Sequence, residues 1–341
     1  MTAREASTGA AAAAAPLLEV RDLRTRFHVR DATVYAVDGV SFTVAAGDRL
    51  GVVGESGSGK SVTALSIMGM IRPPGRVAGG AVLYHGGDLL RLPESRLRRL
   101  RGRRLAMVPQ NPLTSLNPVL TVGAHLFEML SLHMGMSRAA ATERSLELLR
   151  RVGLPDPRQR LREYPHRLSG GQRQRVMIAL AMACEPELLI ADEPTSALDV
   201  TIQAQILDLM DSLVRESSLA SILITHNLGI VAGHCDRVVV MYAGHIVEAA
   251  PVEEIFAHPR HPYTVGLLRC VPRLTAHRQR TFVTIPGLPP RVTEPAHGCP
   301  FAPRCNRATD LCRERNPSLE TMAHGHVAAC WHPVPPGEVW A

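Results

Sequence analysis

The sequence contains the segment Gly54-Glu55-Ser56-Gly57-Ser58-Gly59-Lys60-Ser61, which matches the phosphate-loop pattern G-x-x-x-x-G-K-[S/T]. Residues 48–53 before it read as a buried strand, and residues 60–70 read as a helix. Glycines let the backbone N–H groups of such a loop wrap a phosphate, and the helix directs its positive end at the anion. We therefore expect Lys60 to bind the β- and γ-phosphates of a nucleotide and the Ser61 hydroxyl to bind Mg²⁺.

The basic residues point to the same segment. Of the 38 Lys and Arg residues, only Lys60 is a lysine, so a compact ammonium group occurs only inside the phosphate loop.

The net charge of +7 is compatible with nucleic acid or an anionic membrane, but also with an ordinary solvated surface. The Arg-rich run 96–104 has no aromatic residues, and stacking platforms for single strands need them. We expect no nucleic-acid partner.

A second motif supplies acidic groups. Residues 188–191 form an apolar run typical of a central parallel strand, and Asp192 and Glu193 follow it. Alone, an Asp-Glu pair at a strand end is more often a solvated turn. After a phosphate loop, Asp192 is placed to hold Mg²⁺ and Glu193 to act as the general base for the attacking water. Strands alternating with helices predict an α/β fold.

A third motif resembles the signature of one protein family. Leu168-Ser169-Gly170-Gly171-Gln172 resembles the signature of ABC ATPases, and Ser169 is placed to cap a helix that runs to about residue 183. Its glycines expose N–H groups at a second positive helix end. The resemblance implies that two subunits sandwich two ATP molecules, so that this segment serves the nucleotide of another chain.

Further family elements follow in order. By resemblance, Gln110 links the nucleotide site to the membrane partner, the segment 196–199 with Asp199 crosses the dimer interface, and His226 is the switch histidine at the γ-phosphate. Phe27 stands in the position of the aromatic residue that stacks on adenine, with Tyr35 as the competing ring.

One position departs from the family pattern. Asn227 stands where an Asp usually follows the histidine, which puts one local contact in doubt.

The implied site has three overlapping sets of residues. The catalytic set contains Glu193, His226 and Gln110, and the magnesium set contains Ser61, Gln110 and Asp192. The nucleotide-binding set contains Phe27, Gly54, Glu55, Ser56, Gly57, Ser58, Gly59, Lys60, Ser61, Gln110, Ser169, Gly170, Gly171, Gln172, Asp192 and Asp199.

The resemblance also implies a domain organisation. We expect a flexible tail at residues 1–16, an ABC ATPase domain at 17–258 and a small Cys-rich extension at 259–341. The ATPase domain should combine a RecA-like core with an antiparallel β subdomain and a helical insert at about 111–168. No apolar run in the sequence is long enough to span a bilayer, so any membrane role must come through partner chains.

Other segments narrow the family. Residues 110–118, 198–205 and 261–264 resemble ATP-binding subunits of dipeptide and oligopeptide importers. This group implies import of peptides, with nickel or another solute as an alternative. Expected partners are a second ATPase subunit, identical or a paralogue, two membrane permeases and an extracytoplasmic solute-binding protein. The expected location is the cytoplasmic face of the inner membrane, bound peripherally.

Four cysteines cluster near the C-terminus. Cys299, Cys305, Cys312 and Cys330 are spaced C-x5-C-x6-C-x17-C, without the close knuckles of most structural zinc sites. The resemblance implies a four-iron four-sulfur cluster on these residues; zinc and free thiols are the alternatives. Because all nucleotide motifs precede residue 230, we expect the ATP site to stay competent when Cys305 or Cys312 is replaced by Ser. Cys184, Cys235 and Cys270 are expected to be buried small hydrophobic residues.

Two rival functions remain. A soluble ABC ATPase that acts on nucleic acid or ribosomes usually carries two cassettes, and this chain has one phosphate loop and one signature. An inactive regulatory cassette is disfavoured because Glu193 and the full signature are both present.

Overall fold

The computed structural model describes residues 15–196, 198–271, 284–290, 292–323 and 325–337. Of the predicted tail, residues 1–14 lie outside this range.

Strands and helices alternate along most of the described chain. The strands are β1 Leu18–Val29, β2 Ala32–Val44, β3 Arg49–Val53, β4 Gly75–Tyr84, β5 Gly87–Asp88, β6 Leu105–Val108, β7 Leu188–Asp192, β8 Ala220–Thr225, β9 Arg237–Tyr242, β10 His245–Pro251, β11 Glu320–Ala323 and β12 His326–Ala328. The helices are α1 Lys60–Ile67, α2 Glu94–Leu100, α3 Pro112–Ser115, α4 Val122–Met134, α5 Arg138–Arg151, α6 Pro157–Arg160, α7 Gly170–Met182, α8 Val200–Glu216, α9 Leu228–His234, α10 Val252–Ala257, α11 Pro262–Arg269 and α12 Asp310–Glu314. Short 3-10 turns occupy Leu89–Arg91, Pro165–Arg167 and Ala302–Arg304.

The central sheet carries the nucleotide motifs. Within the described residues it has eight strands in the order β11-β12-β10-β9-β3-β8-β7-β6. Strands β9, β3, β8, β7 and β6 run parallel to one another. Every residue of β7 is buried, as its unbroken apolar run predicts for a strand covered on both faces. The α/β prediction is confirmed.

The antiparallel subdomain is a separate sheet in the order β2-β1-β4-β5. Strands β1 and β2 form one long hairpin, from the pair Leu18–Val44 to the pair Val29–Ala32. The sequence indicated only short β-like runs here, because charged residues on the solvent face interrupt the apolar pattern. Inward residues such as Leu23, Val37 and Val40 are nevertheless fully buried.

The helical insert contains α3 to α6. The periodic apolar residues Leu126 and Leu130 of α4 and Leu149 of α5 are buried in the core, as predicted. The periodicity does not reveal the break between the two helices. Gly135, in the left-handed region at φ 65°, caps α4, and the Ser137 side chain caps α5.

The C-terminal region, residues 259–337, adds β12 and β11 to the central sheet through β10. Glu248 of β10 is fully buried and anchors this region. Its carboxylate accepts the backbone N–H of Arg260 (2.6 Å) and of His261 (2.9 Å), and lies 2.6 Å from His326 Nε2.

The burial of the three other cysteines and the length of the helices bear on expectations from the sequence. Cys184 and Cys235 are buried as predicted, but Cys270 is exposed because it follows the last residue of α11. In the part of the chain that the structure covers, no helix is both long and apolar enough to cross a membrane.

Candidate functional site

Four neighbouring parallel strands end at the same edge of the central sheet. The phosphate loop follows β3, His226 follows β8, Asp192 ends β7, and Gln110 comes shortly after β6. Because the carboxyl ends of parallel strands lie side by side, the topology brings these four predicted elements together.

The phosphate loop is wedged between two backbone segments. Gly54 has φ 154° and Gly59 has φ 103°. A Cβ atom on Gly54 would lie 2.2 Å from the Met241 carbonyl oxygen, and one on Gly59 would lie 2.4 Å from that of Ala36. Only glycine fits at both positions, so the loop backbone itself forms the lining of an anion cradle.

Lys60 begins α1 and points back into the loop. Its Nζ donates to the carbonyl oxygens of Gly54 (2.7 Å) and Glu55 (2.9 Å), and only 4% of the residue is exposed. Burial lowers the pKa of this ammonium, while the nearby carboxylates of Glu193, Asp192 and Glu55 raise it. The loop thus holds a desolvated cation whose donors can turn to a phosphate.

Ser61 and Asp192 form the pair expected of a magnesium site. The Ser61 hydroxyl donates to Asp192 Oδ1 at 2.9 Å, across the gap between α1 and β7. Burial raises the pKa of Asp192, and the hydrogen bond from Ser61 lowers it. Hydroxyl and carboxylate oxygens suit Mg²⁺.

Glu193 lies in a strained backbone conformation at the end of β7. Its φ is 44°, in the left-handed region, and its N–H donates to the Ile224 carbonyl oxygen (2.9 Å). Gln110 Nε2 donates to Glu193 Oε2 (3.2 Å), and His226 Nδ1 lies 3.4 Å from Glu193 Oε1. The three residues of the predicted catalytic set therefore meet around one carboxylate.

The signature segment forms the N-terminus of α7. Ser169 Oγ accepts the Gln172 N–H (3.3 Å), and Gln172 Oε1 accepts the Ser169 N–H (3.0 Å), which completes a capping box. A Cβ atom on Gly171 would lie 2.8 Å from Ile202 of α8, and one on Gly170 would lie 3.3 Å from Leu198. Ser169 itself is exposed, so the helix end is open to another molecule.

Two predicted residues act as helix caps in this chain. Asp199 Oδ1 accepts the Ile202 N–H (3.0 Å) at the start of α8. Asn227, the departure from the family pattern, accepts the Gly229 N–H (2.9 Å) at the start of α9. An Asn caps a helix as well as an Asp does, so this local role is preserved.

The two candidate adenine rings lie on the β1–β2 hairpin. Phe27 packs across the strand pair on Gly75, whose added Cβ atom would lie 2.5 Å from the ring. The Tyr35 ring lies under the Arg26 guanidinium, 4.8 Å from its centroid, and the Tyr35 backbone borders the phosphate loop near Gly244. Both rings are partly exposed, and the choice between them stays a prediction.

The iron–sulfur prediction is wrong. The cysteines that were assigned to it, Cys299, Cys305, Cys312 and Cys330, do line one cavity, but its volume is about 10 Å³, the space of one water molecule. Over the described ranges, no group of three or more His, Cys, Asp or Glu side chains is arranged to hold a metal ion. Zinc fails on the same finding, which leaves four free thiols.

Burial affects the protonation of two of these thiols, Cys299 and Cys330. It raises the pKa of Cys299 to about 11 and that of Cys330 to about 12, so both are protonated at neutral pH.

Two residues without a predicted role contact the phosphate loop. Tyr263 Oη accepts the Glu55 N–H (2.8 Å), and Arg304 forms an ion pair with the Glu55 carboxylate. Tyr263 lies in the segment 261–264, which carried the family resemblance without a stated role, whereas nothing near Arg304 signalled its contact. The extension therefore contacts the phosphate loop, and the competence of the ATP site after replacement of the extension's cysteines stays a prediction.

Comparison with known proteins agrees with this geometry. Residues 37–196 match the ABC transporter family, and residues 247–312 match the family "Oligopeptide/dipeptide transporter, C-terminal region". The chain is similar to the oligopeptide transport ATP-binding protein OppD of Salmonella typhimurium, with 50% identity over 98% of this chain and 99% of that protein. It is 52% identical to a probable peptide ABC transporter ATP-binding protein of Sinorhizobium fredii, over 92% of this chain and 94% of that protein.

Solved structures give the same fold. A dimeric post-hydrolysis state of the ATP-binding cassette MJ0796, bound to ADP and Pi, is 25% identical with a TM-score of 0.63 and covers 69% of this chain and 98% of that one. A second dimeric structure of the same cassette is 26% identical with a TM-score of 0.62, at the same coverage.

Proposed function

The chain belongs to the family of ATP-binding subunits of oligopeptide and dipeptide ABC transporters, and we propose that it hydrolyses ATP to drive peptide import across the cytoplasmic membrane. The similarity over nearly the full length of OppD, in both the cassette and the C-terminal region, is the observation that carries this proposal. Nickel or another solute of the same transporter group is the alternative cargo.

The residues at the carboxyl edge of the central sheet have separate roles in hydrolysis. Lys60 and the loop N–H groups bind the β- and γ-phosphates, and Ser61 and Asp192 hold Mg²⁺, which neutralises phosphate charge when it is bound. Glu193 accepts a proton from the attacking water, and Gln110 and His226 orient that carboxylate. Gln110 is also a magnesium ligand in this proposal. The 3.2 Å contact from Gln110 and the 3.4 Å approach of His226 to Glu193 support these roles.

In this proposal, each nucleotide site is formed by residues from two chains. Ser169, Gly170, Gly171 and Gln172 contact the nucleotide of the opposite subunit, and the loop around Asp199 crosses the interface. Phe27 stacks on adenine, with Tyr35 as the alternative. The capped N-terminus of α7, where Ser169 is exposed, supports this arrangement, because the first N–H groups of a helix have no partner within it.

The partners follow from the transporter family. They are a second ATPase subunit, two membrane permeases and, through these, an extracytoplasmic solute-binding protein. The chain acts peripherally at the cytoplasmic face of the inner membrane. We also propose the division into an ATPase domain at 17–258, with a helical insert at about 111–168, and a C-terminal extension beginning at residue 259.

Copurification and transport test the proposal together. The tagged chain is expected to copurify with membrane permeases, and the complex in proteoliposomes is expected to take up labelled oligopeptide only when ATP is supplied to the side of this subunit. Uptake of nickel but not of peptide would select the alternative cargo. Recovery of RNA or ribosomes without permeases would contradict transport and favour the soluble ATPase.

A further inference from the structure

The C-terminal region reaches the nucleotide site through one residue of the phosphate loop. Glu55 is the second residue of that loop, and its carboxylate meets the guanidinium of Arg304, 249 positions later in the chain. The two groups form a bidentate pair, with Nη1 to Oε2 at 2.6 Å and Nη2 to Oε1 at 3.1 Å. This parallel geometry is the strongest that a carboxylate and an arginine adopt.

Arg304 is held in place by every donor it has. Besides Glu55, its N–H groups reach the Pro286 carbonyl oxygen (2.8 Å), the Ile285 carbonyl oxygen (3.3 Å) and the Tyr242 hydroxyl (3.3 Å). A guanidinium has five N–H donors, and these contacts use all five. The side chain is 4% exposed, so it cannot swing away into solvent without losing the whole set.

A cluster of aromatic side chains also contacts the phosphate loop at Glu55. Tyr263 is fully buried, and its hydroxyl accepts the backbone N–H of Glu55 at 2.8 Å. Its ring lies 4.6 Å from that of Tyr242 and 5.4 Å from that of Phe301, between centroids. Phe301 comes three residues before Arg304, so the cluster and the guanidinium belong to one packed unit.

The charge of Glu55 explains why such a unit is useful. Glu55 is part of the phosphate loop and its charge is felt by Lys60, so an unpaired carboxylate here would repel the anion that the loop binds. Arg304 neutralises this charge, and the hydrogen bond from Arg304 to Glu55 in turn raises the pKa of the guanidinium. The Glu55 carbonyl oxygen meanwhile accepts from Lys60 Nζ, so the same residue adjoins the phosphate-binding cation.

We propose that Arg304 is a positioning residue for nucleotide binding, which neutralises the Glu55 carboxylate and turns it away from the phosphates, so that the C-terminal region sets the ATP affinity of the phosphate loop. The proposal rests on the ATP-binding function proposed above. It assigns Arg304 no contact with the reacting atoms.

Equilibrium binding by the full-length chain tests this role. The variants are Arg304→Gln, Arg304→Lys and the double variant Arg304→Gln with Glu55→Gln. The matched control is Arg313→Gln, which removes an exposed arginine of the same region that pairs only locally with Asp310 in the described contacts. The dissociation constants of ATP, ADP and adenosine are measured for each, together with the midpoint of thermal unfolding.

We expect Arg304→Gln to weaken ATP binding roughly tenfold, within the usual range of coupling between sites. Adenosine, which carries no phosphate, should bind as it does to the wild type. The double variant should recover ATP affinity to within about threefold, because it removes the unneutralised carboxylate. Arg304→Lys keeps the charge and should lose only about threefold.

The outcomes separate this inference from the proposed function. A folded Arg304→Gln chain with wild-type ATP affinity, or a double variant no better than the single one, would overturn the positioning role. If Arg304→Gln does not fold, the Arg304→Lys chain decides: a loss of tenfold or more, equal for ATP and adenosine, would mean a purely structural residue. A wild-type chain that binds no ATP would overturn the proposed function as well.

Discussion

At the carboxyl edge of the central sheet, the groups proposed for chemistry lie within a few residues of a strand end, whereas the contacts that hold the C-terminal region join residues far apart in the chain. Glu193 directly follows β7 and His226 directly follows β8. The contacts that hold the C-terminal region pair Glu248 of β10 with His326, and Glu55 of the phosphate loop with Arg304. The first region is built by local motifs on a common edge, and the second by single long-range contacts.

The difference predicts how each region responds to substitution. Changes at the sheet edge should alter catalysis or phosphate binding while the fold persists, because the motif side chains there pair with one another and are not part of the apolar core. Changes to the buried polar contacts that hold the C-terminal region, such as Glu248 with His326, should alter stability first. Arg304 is the exception that connects the two regions.

The largest effect is expected from Glu193→Gln, which tests the sheet edge. Loss of the carboxylate removes the proposed general base, and the ATP hydrolysis rate of the assembled transporter should fall about 1,000-fold, as for other general bases. MgATP binding should be retained, because Lys60, Ser61 and Asp192 are unchanged. Steady-state ATPase assays and nucleotide binding measure the two quantities separately.

The matched control for this variant is Glu216→Gln. Glu216 ends α8 with 62% of its side chain exposed, and pairs weakly with Arg151 at 3.4 Å. The Glu216→Gln variant should hydrolyse ATP at the wild-type rate. Glu193→Gln hydrolysing ATP within tenfold of the wild-type rate would exclude Glu193 as the base.

Much of the sheet edge could be predicted from the sequence for a physical reason. A phosphate loop, an acid after an apolar strand and a capped glycine-rich helix each have a local pattern, and the parallel topology then joins them. The predicted helix cap at Ser169 is confirmed for the same reason.

Long-range contacts leave no such pattern. Nothing in the sequence around Arg304 indicates that it pairs with Glu55, and the strands β11 and β12 are too short for an alternation of buried and exposed residues to be recognised. The cysteine spacing led to a wrong prediction because it says nothing about how the side chains are arranged in space, and the described residues contain no group arranged to hold a metal ion. The sequence favours Phe27 over Tyr35 as the residue that stacks on adenine, and this stays a prediction because both rings are partly exposed on the same hairpin.

Lys60→Ala sharpens the comparison within the phosphate loop. The variant loses the ammonium that we propose binds two phosphates, and ATP affinity should fall between about 100-fold and 1,000-fold, since each charge-assisted hydrogen bond contributes about 1.5–3 kcal/mol. The same titration on Arg304→Gln provides the scale. If Arg304→Gln weakened binding as strongly as Lys60→Ala, the C-terminal region would be part of the phosphate site itself and not a support for it.

His261→Asn tests the C-terminal region through pH. His261 is 1% exposed, and its Nδ1 accepts the Tyr263 N–H (3.1 Å) as the cap of α11. Burial lowers its pKa from 6.5 to about 4, against the opposing effect of the Glu248 carboxylate. Below pH 6.5 the unfolded chain therefore binds a proton that the folded chain excludes, and stability falls until about pH 4.

The wild type should lose roughly 3 kcal/mol of unfolding free energy across this window through His261. Asn keeps a cap acceptor and does not titrate, so the variant should show a correspondingly shallower loss between pH 6.5 and 4.5 in denaturant unfolding. ATP affinity at pH 7.5 should change little. Identical pH dependence in both chains would show that His261 is not the group responsible.

The smallest effect is expected from Ser169→Ala, which separates stability from function at the signature helix. The variant removes the acceptor for the Gln172 N–H and should cost about 1 kcal/mol of unfolding free energy, the usual value of a helix cap. Ser137→Ala is the matched control, since Ser137 Oγ caps α5 in the same way by accepting the Ala140 N–H at 3.4 Å. Both variants should therefore lose similar stability. Only Ser169→Ala should also slow ATP hydrolysis, by about tenfold, and in a mixed assembly the loss should appear at the phosphate loop of the partner, because the exposed helix end is proposed to contact that nucleotide. Equal ATPase rates in the two variants would reduce Ser169 to a structural cap and remove the support for a site shared between two chains.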